Sequence, residues 1–215
     1  TPVGFRLATP KLHVVGHGID TVAFAAPIRP LHEPLRLVSI GRITPIKNLD
    51  TLIEAVALLR DKGIAATATF IGAPARASDE AYLASLKALV EMRGIADRIH
   101  FDGSVPHAQM PEQYRRFDVS VNLAPTGGLD KAVLESMAAG LLVFVSNRGF
   151  AGLLGPHTDE LLFPERDAAT CAEKIAALVQ RAGDVALVRA DLSRQVETMS
   201  VQSLIPRILS SYEAN

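Results

Sequence analysis

The sequence predicts an α/β fold: a doubly wound parallel sheet with helices on both faces, followed by a helical C-terminal tail. Short runs of β-type residues alternate with segments of helical spacing along most of the 215 residues. Several runs are nearly continuous in Val, Ile, Leu or Phe, as expected of parallel strands covered on both faces. From Ala168 to the end the spacing is helical only. Strand alternating with helix implies βαβ units, hence parallel strands joined by helical crossovers.

In chain order the expected strands are Leu12 to Val15, Leu35 to Ile40, Thr67 to Ile71, Arg98 to Phe101, Asp118 to Asn122, Leu142 to Ser146 and Leu161 to Phe163. Leu49, Leu52, Ile53 and Val56 share one face of a helix, and Leu83, Leu86 and Val90 share a face of the next. Ser78, followed by Asp79 and Glu80, supplies a cap and negative charge at that second helix's positive end. A third helix has Leu134, Met137 and Ala138 as its core face, and Asp130 can cap it. Ile175, Leu178 and Val179 carry the apolar pattern into the tail, and Val201 to Tyr212 is again helical. The expected division of one domain is 1–30 as a connecting segment, 31–166 as the α/β core and 167–215 as C-terminal helices.

Composition narrows the function classes. The formal net charge is −1 with basic and acidic residues mixed, which argues against nucleic acid as a partner. The absence of Trp and the 5% aromatic content weaken a base-stacking single-strand binder. Cys171 is the only cysteine, so it forms no intrachain disulfide and belongs to no zinc framework; its apolar neighbours make it a buried small hydrophobe. The longest apolar run, Leu141 to Val145, is too short to cross a bilayer, and no signal peptide appears. The expectation is a cytoplasmic domain. The chain opens at Thr1 without an initiator Met, and TPVGFRLATPKLHVV begins abruptly, as expected of a piece of a longer chain.

Doubly wound sheets bind ligands outside the carboxyl ends of their strands, which singles out three strand-exit loops. The first, Gly41-Arg42-Ile43-Thr44-Pro45-Ile46-Lys47-Asn48, sets Arg42 and Lys47 where a helix N-terminus already attracts anions. Lys47 is electrostatically awkward there without an anion, although two solvated surface cations are the alternative. The second is Thr126-Gly127-Gly128-Leu129-Asp130-Lys131-Ala132-Val133-Leu134-Glu135. Its glycines let the backbone approach a ligand closely and aim N–H groups at it. Lys131 falls in the first helical turn, where the macrodipole disfavours a cation. Lys131 and Glu135 either form a weak surface ion pair or serve a diphosphate and a ribose diol. The third, Phe101-Asp102-Gly103-Ser104-Val105-Pro106, can read a base edge through backbone groups or be an ordinary turn.

Other signatures are absent or incomplete. Gly16-His17-Gly18-Ile19-Asp20 begins like a dinucleotide fingerprint but lacks the third glycine, and Val22 to Pro27 does not read as a helix. There is no Walker A sequence and no Asp-x-Asp metal motif, and the scattered histidines read as structural or exposed. No metal ligand set and no cofactor is expected.

Taken together and in order, these segments resemble glycosyltransferase family 4, over nearly the whole chain. HVVGHGIDTVAF looks like the family's interdomain segment, and LVSIGRITPIKNLDTLIEAVALL is similar to its Gly-Arg…Lys diphosphate loop and following helix. ATFIGAP, IHFDGSVPHAQMPEQYRRFDVSVNLA and LDKAVLESMAAGLLVFVSN continue the pattern. The resemblance implies a Rossmann-like domain, the C-terminal half of a GT-B enzyme, whose acceptor domain precedes it. It implies a hexosyltransferase-type reaction on a nucleotide sugar carrying UDP or GDP, retaining and metal-independent, with an acceptor held largely by the absent domain.

The same resemblance implies residue roles. Arg42 and Lys47 stabilise charge on the leaving diphosphate. Gly41 lies in that loop. Backbone groups near Val105 contact the base. Gly127, Gly128 and Leu129 offer N–H groups to the phosphates together with Lys131, and Glu135 holds the ribose hydroxyls. Family members commonly carry a further, sugar-facing glutamate at the position of Gly127, so donor sugar identity is left open. The other readings are a non-catalytic nucleotide-binding module and another GT-B chemistry such as a nucleotide-sugar epimerase. GT-B enzymes often send their terminal helix back to the other domain; here that helix is expected to be displaced or to expose an apolar face.

Overall fold

In the computed structural model, which describes residues 18–213, five parallel strands form one sheet. They are β1 (Leu35–Ile40), β2 (Ala66–Ile71), β3 (Ile99–Gly103), β4 (Val119–Asn122) and β5 (Leu142–Val145), in spatial order β3-β2-β1-β4-β5. The helices are α1 (Thr21–Phe24), α2 (Asp50–Asp61), α3 (Ala77–Met92), α4 (Met110–Tyr114) and α5 (Lys131–Ala138). They continue with α6 (Ala151–Leu154), α7 (Thr158–Leu161), α8 (Ala168–Val179), α9 (Ala182–Val196) and α10 (Val201–Glu213).

The chain winds outward from β1 through α2, β2 and α3 to β3, returns to β4 beside β1, and winds the other way through α5 to β5. Right-handed crossovers on the two sides of that reversal place α2 and α3 on one face and α5 on the other. The tail follows suit: α8 packs on α2, and α9 on α5 and β5. β4 and β5 are buried along their whole length; β5 is unbroken apolar, as a covered parallel strand should be, whereas β4 carries the buried polar residues Ser120 and Asn122. The reversal between β1 and β4 opens a crevice at the carboxyl ends of the strands, where such sheets take their ligands.

Five expected strands are present, with ends within two residues of those read from the pattern. Leu12 to Val15 lies outside the described residues. Leu161 to Phe163 is not a strand. Its sequence enters from the helical turn α7, and only Leu162 bridges Val145, with the Phe163 N–H on the Val145 carbonyl at 3.0 Å. An apolar triplet is too short for its period to be read, and Pro164 stops it.

Two helix starts also differ from expectation. Arg76, not Ser78, occupies the N-cap of α3, and the buried Asp79 carboxylate reaches back to the Ala75 N–H at 3.3 Å. The acidic residue at the positive end is therefore real, but it acts from inside the first turn. The stretch after Asp20 does form a helix, the single turn α1, whose Ala23 N–H donates to the Asp20 carboxylate at 3.0 Å.

The C-terminal helix closes on the start of the described chain. The Ile19 N–H donates to the Met199 carbonyl at 3.0 Å and the Val201 N–H to the Ile19 carbonyl at 2.9 Å. A Cβ at Gly18 would stand 2.9 Å from Leu204 Cδ2 and 3.3 Å from Val201 Cα, so the two segments pack closely here. The outer side of α10 carries Val201, Ile205 and Leu209 one above the other, 40%, 50% and 57% exposed. An exposed apolar face is thus what the tail presents.

Candidate functional site

The site begins where β1 and β2 end. Gly41 and Gly72 have φ of 143° and 147°, and a Cβ on Gly72 would lie 1.9 Å from the Gly41 carbonyl oxygen. Glycine at 72 is therefore obligatory for this close approach. It lets the exit loops hydrogen-bond to one another: Gly41 N–H to Ile71 O at 3.0 Å, Ile43 N–H to Ala73 O at 3.2 Å and Gly72 N–H to Gly103 O at 2.8 Å. Together they form one wall of a cleft of about 260 Å³, lined among others by Gly41, Arg42, Val105, His107 and Glu135. Arg42 is exposed and has no ion-pair partner among the described residues.

Lys47 behaves differently. It ends a 3₁₀ turn, Pro45–Lys47, after which Asn48 adopts a left-handed conformation and donates to the Leu123 carbonyl at 3.2 Å. The Lys47 ammonium then lies 2.5 Å from Asp130 Oδ2, with both side chains mostly buried. The anion that Lys47 required comes from the chain itself. Asp130 also caps α5 through the Ala132 N–H at 3.4 Å and accepts from Asn122 Nδ2 at 3.1 Å. One carboxylate thereby ties the β1 exit loop to the β4 exit loop across the topological reversal. Asn122 Oδ1 beside it is buried without a hydrogen-bond partner among the described residues.

Glu135, 7% exposed, is not free as expected. Tyr114 donates its hydroxyl to Oε2 at 2.8 Å, and His107 Nε2 lies 3.1 Å from Oε1. Burial, and then the Glu135 charge, push the Tyr114 hydroxyl well above its usual pKa, so it stays a donor. A carboxylate keeps further lone pairs, so Glu135 can still accept from a ligand on its cleft side. His107 is exposed and edge-on to Phe24, with ring centroids 5.8 Å apart. Lys131 is exposed at the first position of α5 and forms no ion pair with Glu135.

The family model for glycosyl transferases group 1 matches residues 34–181. The chain belongs to that family. It is similar to the putative colanic acid biosynthesis glycosyltransferase WcaL of Escherichia coli, 28% identical over 210 residues, which are 94% of this chain and 50% of that one. The amylovoran biosynthesis glycosyltransferase AmsK of Erwinia amylovora is 29% identical over 93% of this chain and 50% of its own. The chain thus spans about half the length of these curated relatives. Among solved structures, the C-terminal domain of a group 1 glycosyl transferase (LpcC) from Francisella tularensis aligns with a TM-score of 0.75 at 20% identity, over 86% of this chain and all of that one. Anabaena Alr3699/HepE in complex with UDP aligns with a TM-score of 0.80 at 17% identity, over 92% of this chain and 56% of that one. Likeness at this identity speaks for the fold, that of a GT-B C-terminal domain.

In this group 1 glycosyltransferase domain the glycine loop is held from outside. Asn147, fully buried, accepts from the Gly127 N–H at 3.4 Å and the Gly149 N–H at 2.8 Å, and donates to the Gly128 carbonyl at 3.1 Å. The Thr126 N–H donates to Glu165 at 2.7 Å. The Gly127 N–H is therefore taken, contrary to expectation, whereas those of Gly128 and Leu129 have no partner among the described residues. Neither glycine has a positive φ, and a Cβ on Gly128 would meet nothing within 4 Å. Their role is not to permit a strained turn.

The glycosyltransferase fold brings Gly41, Arg42, Val105 and Glu135 to one cleft. Lys47 joins through Asp130, while Gly127, Gly128, Leu129 and Lys131 precede and begin the helix that carries Glu135. His107, Tyr114 and Asn147 went unselected in the sequence because each holds a partner about twenty or more residues away, and Asn122 because its role shows only once Asp130 turns back to it. Among the described residues no three His, Cys, Asp or Glu side chains converge as a metal site.

Proposed function

We propose that this chain is the donor domain of a glycosyltransferase that binds a nucleotide-diphosphate sugar and, with an N-terminal acceptor domain, transfers the hexosyl group to an acceptor. The observation that carries this reading is the cleft at the carboxyl end of the sheet, where Arg42, without an ion-pair partner among the described residues, lines the same space as the buried, Tyr114-held Glu135. The diphosphate lies against Arg42 and the free N–H groups of Gly128 and Leu129, with Lys131 at the same helix end and Lys47 divided between it and Asp130. Glu135 accepts from the ribose hydroxyls, and the backbone around Val105 meets the base. As the anomeric bond to the diphosphate breaks, Arg42 and Lys47 stabilise the developing negative charge, a task fixed cations perform without a metal. The acceptor hydroxyl gains the glycosyl group with retention. No helix of the described residues is long and apolar enough to cross a membrane, and the domain works on the cytoplasmic side, with any membrane association supplied by the rest of the protein. Relatives named as GDP-mannose-dependent and a UDP-bound structural neighbour leave both bases in play.

The test is a thermal-shift titration with UDP, GDP, ADP and CMP. A ligand at about a hundred times its Kd should add roughly 2.7 kcal/mol of stability. One diphosphate is expected to stabilise the wild type, with the shift lost in Arg42→Ala and Lys131→Ala. Gly128→Ala should keep the unliganded melting temperature, because its new methyl meets nothing in the chain, and weaken only the ligand response. Stabilisation by no nucleotide, or equally in all variants, would overturn the reading. A nucleotide-binding module without catalysis is favoured by one feature, Gly127 at the sugar-facing position; nucleotide binding without sugar transfer by the longer protein would establish it.

A further inference from the structure

A second cavity, of about 760 Å³, lies at the opposite end of the sheet, under the amino-terminal ends of β1 and β2, where Leu35 and Ala65 line it. Its walls are largely apolar, with Ile28, Leu31, Ile64, Val179 and Val185. Volume and lining both fall in the range of small-molecule sites, about 300–1,000 Å³ and mostly hydrophobic.

Arg189 is the polar group of consequence in it. The residue is 3% exposed and forms no ion pair among the described residues. Its Nε donates to the Gly140 carbonyl and its Nη1 to the Arg29 carbonyl at 2.7 Å. Its Nη2 makes no hydrogen bond among the described residues, and the side chain lines the cavity. The nearby Asp118 carboxylate does not answer it. That carboxylate is occupied by His32 Nδ1 at 2.8 Å, the His32 N–H at 3.2 Å and the Arg36 N–H at 2.9 Å. Burial and the neighbouring Arg29 charge lower the Arg189 pKa, while Asp118 opposes them from a distance. Arg29 and His32 also line the cavity, against a single carboxylate, Glu33, which is exposed and forms no ion pair among the described residues. A desolvated guanidinium with no carboxylate in contact is costly unless an anion completes it.

We propose that this cavity binds a small molecule with an apolar body and one carboxylate or phosphate, the anion paired with Arg189. The site does not rest on the donor reading and lies at the other end of the strands. Isothermal titration of the chain with naphthalene-2-carboxylate, 2-naphthyl phosphate and neutral 2-naphthol tests it. At least one anion is expected to bind about tenfold or more tightly than the naphthol, as a charge-assisted hydrogen bond implies, and the better of the two names the head group. Ala186→Phe, at an exposed position of the cavity rim, should weaken the anion by about tenfold through loss of space and keep the melting temperature; Arg189→Gln should weaken it too. Added UDP should leave the anion's affinity unchanged. Binding of neither anion, equal binding of the naphthol, indifference to Ala186→Phe, or displacement by UDP would overturn the proposal.

Discussion

Tyr114 has no exposed surface, and its hydroxyl donates to Glu135 at 2.8 Å, with the Ala132 carbonyl further off at 3.3 Å. The pairing fixes one carboxylate oxygen before any ligand arrives, while His107 Nε2 lies 3.1 Å from the other. Tyr114→Phe should therefore cost about 1–3 kcal/mol in thermal stability, the usual penalty for leaving a buried acceptor short of a donor, and should weaken nucleotide binding as Glu135 loses its fixed orientation. A variant that melts lower but binds nucleotide as well as wild type would show Tyr114 to be core alone. Glu135 itself was legible, because an acidic side chain four residues into a helix after a glycine loop is unusual chemistry on a local pattern. Tyr114 was not, since a tyrosine in an apolar stretch reads as packing until its partner, 21 residues on, is seen.

At the scale of elements, the exit loops of β1 and β2 depend on each other through two glycines. Gly72→Ala would place a methyl 1.9 Å from the Gly41 carbonyl oxygen, at a φ that L residues rarely adopt. The expected cost is about 2 kcal/mol or more, read as a lowered melting temperature. Arg42 stands in the displaced loop, so its ligand response should fall as well; an unchanged melt would mean that the two loops move apart freely. The strands themselves were readable, because all five hold enough β-type residues between helical segments to mark them, even where His100, Ser120 or Asn122 interrupts the apolar pattern. The seventh expected strand and the Ser78 cap failed at the same limit. A three-residue run carries no period, and a cap depends on backbone angles that Arg76, rather than Ser78, adopts.

Across the whole molecule, charged pairs fasten the short helices after β5 to the tail. Glu160 accepts from Arg181 at 2.6 Å, and Asp191 lies 2.9 Å from His157 Nε2. The Arg181 hydrogen bond lowers the Glu160 pKa from 4.5, the His157 hydrogen bond lowers Asp191 from 3.8, and hydrogen bonds from Thr170 lower Asp167 from 3.8. Each is depressed in the folded chain, so the unfolded chain takes up protons first as the pH drops. Their stabilisation is present above the unfolded values and is lost as pH falls through the folded ones. The melting temperature should accordingly hold above about pH 5 and decline below about pH 4.5, with a shallower decline in Asp191→Asn. A flat profile down to pH about 3 would contradict this linkage.

The sequence by itself determined the winding: five strands, the helices between them and the placement of Gly41, Arg42 and Lys47 after a strand follow from local periodicity and loop chemistry, with Glu135 on the helix beyond the glycine loop, while the family followed from the resemblance of whole motifs taken in order. Only the tertiary structure decided who meets whom. Lys47 and Asp130 are 83 residues apart, and Arg189 and Arg29 are 160 apart. A local pattern reports the period and burial of one segment. Which carboxylate answers a lysine, which N–H is already taken, and which arginine is left facing a cavity depend on how the two windings of the sheet pack against each other and against the helical tail.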